Sequence, residues 1–389
     1  MKQKKLNFVD LFAGAGGMSN GLEQAGLNCV LGVDFERAAM ETFKANHHNA
    51  EVFVGDIKDL TKKELLKLTR EQNIDLVCGG PPCQGLSTVG KGIPDDPRNY
   101  LFKHFVRVVK ILKPRFVILE NVTGLMGSKN EPILQGILDE FREMGYDLTP
   151  KVLPAHHFGV AQRRRRTIFI GNNQGLLNTH PEAMYEFDHS HLPTPKTVGE
   201  VFKNLADQNG VTHNHDLDSA VIPNEIDKQR IALIPEGKSI RYQEDEEKYF
   251  PKKLRLGVDW TTIAEHRLRQ EKYKRLDRKS PSQTIMTDSH TYFHPIKDRY
   301  LTVREAAAIQ SFPNNFIFSG PLTQQWRQIG NAVPPLLAKA IGKSILAMLK
   351  NPKIASKQRL SITQIRKFAF DYKLKTRPID ELQLLLFTE

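Results

Sequence analysis

Cysteine is scarce in this chain, with three in 389 residues: Cys29, Cys78 and Cys83. An odd set without Cys-x-x-Cys or histidine spacing supports neither a disulfide framework nor a zinc site, and it suits a reducing compartment. Long apolar runs are missing as well. None approaches the ~20 residues of a membrane span, and the opening MKQKK lacks the apolar stretch and cleavage site of a signal peptide. These absences predict a cytoplasmic protein without a membrane partner. Acidic residues are outnumbered, 44 against 56 basic ones, leaving a formal net charge of +12. That balance favours a polyanionic partner, because released counterions drive binding to phosphates, although basic soluble enzymes are common.

At 40% apolar and 26% charged the composition is globular, and the length suits two domains or one elaborated α/β domain. Over residues 1–172, short β-rich runs alternate with longer helical patterns, the signature of a parallel sheet covered by helices. The strand candidates are FVDLF, CVLGVD, VFVGD, DLVCGG, FVILENV, KVLPA and TIFIG. Between them ERAAMETFKANH, TKKELLKLTREQ, YLFKHFVRVVKILK and EPILQGILDEFREMG space their apolar residues by three and four, as helices do. Residues 173–295 are more polar, with scattered prolines and short apolar runs, and read as a second, smaller, irregular domain. Order returns with TVREAAAIQ, which opens on a Thr-x-x-Glu capping box, and with a helix after Pro334-Pro335. Residues 296–350 therefore read as a further ordered segment, and 351–389 form a basic carboxyl-terminal extension. No internal repeat is evident.

In an open parallel sheet, ligands bind beyond the carboxyl ends of the strands, so residues just past each strand share one edge. The first strand runs into AGAGG (Ala13 to Gly17), the second ends at Asp34, the third at Asp56, the fourth at Cys83 and the fifth at Glu120. The glycine turn suits close approach of a nucleotide or a mere tight connection. Ser19 stands where the dinucleotide pattern requires its third glycine, which disfavours a nicotinamide oxidoreductase. Asp34 is placed either to bind ribose hydroxyls or to cap the following helix, and Asp56 carries the same two readings. An adenosyl ligand without a diphosphate satisfies all three. Cys83 is a candidate nucleophile, since the prolines and glycines of GGPPCQGLS mark a loop with little to bury. Glu120 is a salt-bridge partner by itself and a candidate acid when it stands across from that cysteine. Alternation in AQRRRRTIFIG puts Gln162, Arg164 and Arg166 on one face and Arg163 and Arg165 on the other.

Six segments, DLFAGAGG, GGPPCQGLS, ENV, QRRRR, RYLTVREAAAIQSFP and QIGNAVPP, resemble the motifs of DNA cytosine-5 methyltransferases, in that family's order. They cover roughly 7–172 and 280–350. The resemblance implies a Rossmann-like S-adenosylmethionine-dependent methyltransferase fold, in which 296–350 rejoin 1–172 as one discontinuous domain, with a target-recognition domain over about 173–295. It also implies S-adenosylmethionine as cofactor, S-adenosylhomocysteine as product, and no metal. The reaction it implies is addition of Cys83 to C6 of a flipped cytosine, with Glu120 at N3, Arg166 at O2, and Arg164 and Gln162 completing the catalytic set. Phe12, Gly14, Gly16, Gly17, Asp34, Phe35, Asp56, Ile57, Pro82 and Asn331 would hold the cofactor. Phe35 is either an adenine platform or a core aromatic. Gln84, Ser87 and Arg98 in the loop after Cys83, with Arg163, Arg165 and Thr284, would touch double-stranded DNA. Thr284-Ile285 resembles the recognition-domain pair of the family, and an ordinary strand fragment is the competing reading. The implied setting is a monomer in a bacterial or phage-infected cell, with a cognate restriction endonuclease acting separately. Two alternatives share these motifs: a tRNA cytosine-5 methyltransferase and a catalytically silent DNA-binding relative.

Overall fold

The computed structural model of the chain describes residues 5–81, 100–187, 191–355 and 360–371. Seven strands form one sheet: β1 (Asn7–Leu11), β2 (Asn28–Asp34), β3 (Glu51–Val54), β4 (Leu76–Gly79), β5 (Phe116–Asn121), β6 (Asp147–Pro154) and β7 (Arg165–Asn172). Between them run α1 (Gly17–Ala25), α2 (Arg37–Asn46), α3 (Lys62–Leu68), α4 (Tyr100–Leu112) and α5 (Glu131–Glu143). There follow α6 (Val198–Val201), α7 (Glu225–Leu233), β8 (Ile240–Tyr242), α8 (Gln243–Tyr249), β9 (Arg267–Lys272), β10 (Lys274–Arg275), β11 (Tyr292–Phe293), α9 (Val303–Ile309) and α10 (Leu322–Asn331). The last helices are α11 (Pro335–Lys350) and α12 (Ile362–Phe370). Every strand and helix expected in the first 172 residues is present, and the expected Thr302–Glu305 capping box opens α9.

Sheet order is β3-β2-β1-β4-β5-β7-β6. The first five strands are parallel, while β7 runs antiparallel to both β5 and β6. Alternate strand residues feed two apolar layers. Val9, Leu11, Val77, Val117 and Leu119 pack with side chains from α3, α4, α5 and α12. Phe8, Leu76, Phe116 and Ile118 pack with side chains from α1, α2 and α11. The stretch Leu322–Lys350 has the length and apolar composition of a membrane span. It is nevertheless two helices, broken at residues 332–334, and Leu337, Ala338, Ile341 and Ile345 of α11 are buried in the sheet's own core.

Two compact units emerge, and they divide the chain differently from the expected segments. One gathers Met1–Phe158, Arg165–Met184 and Val333–Glu389, the other Gly159–Arg164 and Tyr185–Ala332. Residues 296–332 thus cluster with the irregular unit, and QRRRR is cut between Arg164 and Arg165. The irregular unit carries only two-stranded sheets and relies on buried polar hubs. Arg275 donates to the carbonyls of Ile231, Ile234, His294 and Lys297 and pairs with Asp298. In the sheet unit, Ile365 and Ala369 of α12 join the core layer, so part of the carboxyl-terminal extension is a docked helix.

A polar cluster sits inside the α1/α2 layer. Asp10 is buried on β1 and accepts from Ser19 Oγ at 2.6 Å, with Cys29 and Cys78 flanking it. Burial pushes the Asp10 carboxyl up to about 6, and burial likewise pushes both thiols well above the ordinary range. Between the ordinary value of 3.8 and about 6, the folded chain holds a proton that the unfolded chain releases, so rising pH costs stability across that window. Asp10→Asn removes this slope. Relative to wild type it is expected to gain roughly 3 kcal/mol between about pH 4 and about pH 7 in urea unfolding; parallel curves would contradict the buried-carboxyl reading. Close helix packing gives a second prediction. A Cβ on Gly21 would lie 2.2 Å from the Pro335 carbonyl oxygen, so Gly21→Ala is expected to cost about 1–3 kcal/mol by the same measurement.

Candidate active site

The turn after β1 is built by backbone conformations that only certain residues accept. Gly14 has φ +53° and Gly16 φ +89°, and a Cβ on Gly16 would meet His47 Nε2 at 2.3 Å. Phe12 also adopts positive φ, at 59°. Gly14 leaves open space where its side chain would be, while its N–H donates to Asp34 Oδ2 at 2.9 Å. Gly17 begins α1. Ser19, the departure from the dinucleotide pattern, is fully buried on Asp10 beneath this turn.

Asp34 binds the two ends of the cradle together. Besides the Gly14 N–H, its Oδ1 accepts from Glu36 N at 2.9 Å, so the carboxylate orders the entry to α2, whose N-cap residue is Glu36. Burial raises the Asp34 carboxyl above its ordinary value, opposed by the N–H bonds from Glu36 and Gly14. Phe35 is 71% exposed, which overturns the core-aromatic reading and leaves a free aromatic face beside Asp34. Asp56 caps the short turn Ile57–Asp59 by accepting from Lys58 N, and pairs with Lys58 Nζ at 3.2 Å. The Lys58 N–H holds its carboxyl below the usual range. Ile57 is buried in the apolar layer, so only its backbone is offered to a ligand. A glycine turn with open space, an acid anchored on it, and an exposed aromatic fit an adenosyl group.

The ends of β4 and β5 meet the start of β7. Glu120, near the end of β5, pairs with Arg166 Nε at 2.7 Å, both side chains being mostly buried. Register explains the meeting: Asn121 pairs with Thr167 and Glu120 with Ile168, so the start of the antiparallel β7 lies at the carboxyl end of β5. Gly80 completes the arrangement, because a Cβ there would stand 2.7 Å from Glu120 Oε2. Gly79 is equally constrained, since a Cβ there would stand 2.2 Å from the Leu11 carbonyl oxygen. Pro82, Cys83, Gln84, Ser87 and Arg98 lie outside the described residues. Cys29 and Cys78 are buried core thiols, unsuited to nucleophilic work.

Burial alternates along the arginine run, although β7 begins only at Arg165: Gln162 and Arg164 are buried and Arg166 mostly so, whereas Arg163 and Arg165 are exposed. Gln162 and Arg164 nonetheless belong to the irregular unit. Gln162 Nε2 donates to Gln310 Oε1, and its Oε1 accepts from Ile285 N at 2.9 Å. Gln310 Nε2 in turn donates to the carbonyls of Ile329 and Ala332. With no exposed surface, Gln162 ties four motif segments together through its bond to Gln310. Gln310 was missed, although it sits in the quoted AAAIQSFP. Arg164 makes a long contact of 3.5 Å to the carbonyl of Asn331, which is exposed at the end of α10. Arg163 lies over the Phe187 ring. Thr284-Ile285 lies outside any strand, which removes the strand-fragment reading, and a Cβ on Gly330 would meet the next residue's backbone, Met286, at 2.6 Å.

Comparison with known proteins bears on the same segments. The family model of C-5 cytosine-specific DNA methylase matches residues 6–347. The chain is 37% identical over 351 residues to the Type II methyltransferase M1.HphI of Haemophilus parahaemolyticus, covering 89% of this chain and 88% of the relative. It is 32% identical over 400 residues to the Type II methyltransferase M.DdeI of Desulfomicrobium norvegicum, covering 94% of each. A solved E. coli structure, assigned as a DNA modification methyltransferase encoded within a prophage, superposes with a TM-score of 0.67 at 25% identity, covering 89% of this chain and all of that one. The chain belongs to the C-5 cytosine-specific DNA methylases, as a DNA (cytosine-5-)-methyltransferase of the Type II restriction-modification class.

Proposed function

We propose that this methyltransferase acts on a cytosine rotated out of a specific duplex sequence, with Cys83 as the covalent nucleophile and S-adenosylmethionine as the methyl donor. The observation that carries the reading is the Glu120–Arg166 pair, packed against Gly80, three positions before Cys83 in the chain. Cytosine C5 is a weak nucleophile inside a stacked helix, so the base has to leave the stack and gain electron density. The Cys83 thiolate adds to C6, and the C5–C6 electron pair becomes available at C5. Glu120 hydrogen-bonds N3 and the exocyclic amine, stabilising the charge that addition creates. Arg166 holds the Glu120 carboxylate and presents the rest of its fork to the base O2. After methylation, loss of the C5 proton to a base returns its electrons to the ring and expels the Cys83 sulfur.

When bound, S-adenosylmethionine supplies an electrophilic methyl group. Asp34 would take its ribose hydroxyls, Phe35 would cover a face of the adenine, and Asp56 with the Ile57 backbone would read the adenine edge. Phe12, Gly14, Gly16 and Gly17 would line the methionine end, with Pro82 and Asn331 as further contacts. Residues Gln84 to Arg98, including Ser87, would close over the flipped base. The exposed Arg163 and Arg165 are suited to phosphates, and Thr284 to the recognition of the target. The enzyme would work as a monomer in the cytoplasm, protecting DNA from a separate endonuclease.

Incubation with labelled S-adenosylmethionine and mixed-sequence duplex is expected to label cytosine C5; label entering tRNA in preference to duplex would overturn the substrate assignment. Cys83→Ala is expected to abolish methylation while keeping cofactor binding, and near-normal turnover would refute the covalent step. Asp34→Ala is expected to weaken cofactor binding by about tenfold or more, with DNA binding little changed. Titrations giving the reverse ranking would remove Asp34 from the ribose.

A further inference from the structure

Helix α4 begins just beyond the Gln84–Arg98 segment, and its Arg107 reaches across to the exit of β3. Arg107 Nη2 donates to the Ile57 carbonyl at 2.6 Å and Nη1 to the Leu60 carbonyl at 2.7 Å. These two oxygens bracket the turn Ile57–Asp59 that Asp56 caps. A planar guanidinium can hold both at fixed spacing; a lysine ammonium, a point charge on a flexible stem, cannot. The anchor is firm, because Phe105, Val106, Val108 and Val109 of α4 are buried in the same apolar layer as Ile57 and Leu60. His104, one helical turn from Arg107, also acts electrostatically on the Asp56 carboxylate. Without the fork, a three-residue turn would be left to place both the Asp56 carboxylate and the Ile57 backbone.

We propose that Arg107 is a positioning residue for the adenine end of the cofactor site: it fixes the Ile57 and Leu60 carbonyls and thereby the Asp56–Ile57 edge that meets the purine. The proposal rests on the cofactor reading given above. It makes α4 and the adenine edge one rigid piece.

The test uses the full chain with S-adenosylhomocysteine titrated calorimetrically and S-adenosylmethionine varied in turnover assays. Arg107→Met is expected to raise the Kd for S-adenosylhomocysteine and the KM for S-adenosylmethionine by about tenfold, with kcat at saturation held within about threefold. Its cofactor-free melting temperature should stay near wild type. Lys110→Met, which breaks only an exposed ion pair with Glu140, is expected to leave Kd unchanged. An unaltered Kd in folded Arg107→Met, a lowered melting temperature without a change in Kd, or an equal loss in Lys110→Met would overturn the proposal. Should Arg107→Met fail to fold, Arg107→Lys decides: a raised Kd relative to wild type supports the fork, and an unchanged Kd refutes it. Asp34→Ala separates the two levels. If it weakens cofactor binding and Arg107→Met does not, only the positioning role falls; if neither does, the cofactor reading falls with it.

Discussion

The direction of β7 is the constraint on which the Glu120–Arg166 pair depends. In a wholly parallel sheet, only residues following a strand reach the ligand-bearing edge. Arg166 stands at the beginning of its strand, and it meets Glu120 because β7 is inserted antiparallel between β5 and β6. Parallel insertion would send the arginine to the opposite end of the sheet. The ion pair also limits the freedom of Glu120, since a mostly buried carboxylate is costly without a partner, and the partner fixes its orientation. Gly80 then lets the backbone leading towards Cys83 lie against that carboxylate.

Close approach is the second constraint, and glycine meets it in separate ways. Gly14 and Gly16 supply left-handed backbone in the turn, whereas Gly79 and Gly80 remove a Cβ where the end of β4 touches Leu11 and Glu120. Beneath the turn, Asp10 and Ser19 fill the space with a hydrogen-bonded pair. A third glycine in place of Ser19 would leave that carboxylate without its hydroxyl donor, so the departure from the dinucleotide pattern has a structural reason as well as a diagnostic value. The same burial that satisfies Cys29 and Cys78 as core residues disqualifies them as nucleophiles. Reactivity in this chain is therefore a matter of placement.

The sheet and its helices were legible because both depend on local periodicity: doubly buried strands read as apolar runs, and helices by spacings of three and four. The acids at strand ends were legible through the edge rule. Strand direction was not, since TIFIG has the same composition whichever way it runs. Phe35 was undecidable for a related reason; an aromatic opening a helix looks alike whether it faces core or solvent, and only the fold exposes it. Gln162 shows a different limit. Alternation marks Gln162 as inward-facing, but alternation does not name a partner. That partner is Gln310, 148 positions away in sequence.

Gln310 also explains why the methylase motifs are dispersed over so much of the chain. One glutamine pair links the arginine run, the Thr284-Ile285 segment, the end of α9 and the turn after α10, and Gly330 allows the Met286 backbone to pack against α10. The irregular unit has little regular sheet to hold these loops in register, so buried amides do what β-ladders do in the other unit. Such bonds tolerate little substitution, because each lost partner strands a buried polar group. Residues between the tied points are free of that restriction. A division of labour between fixed knots and freer loops follows directly from the cost of an unsatisfied buried amide.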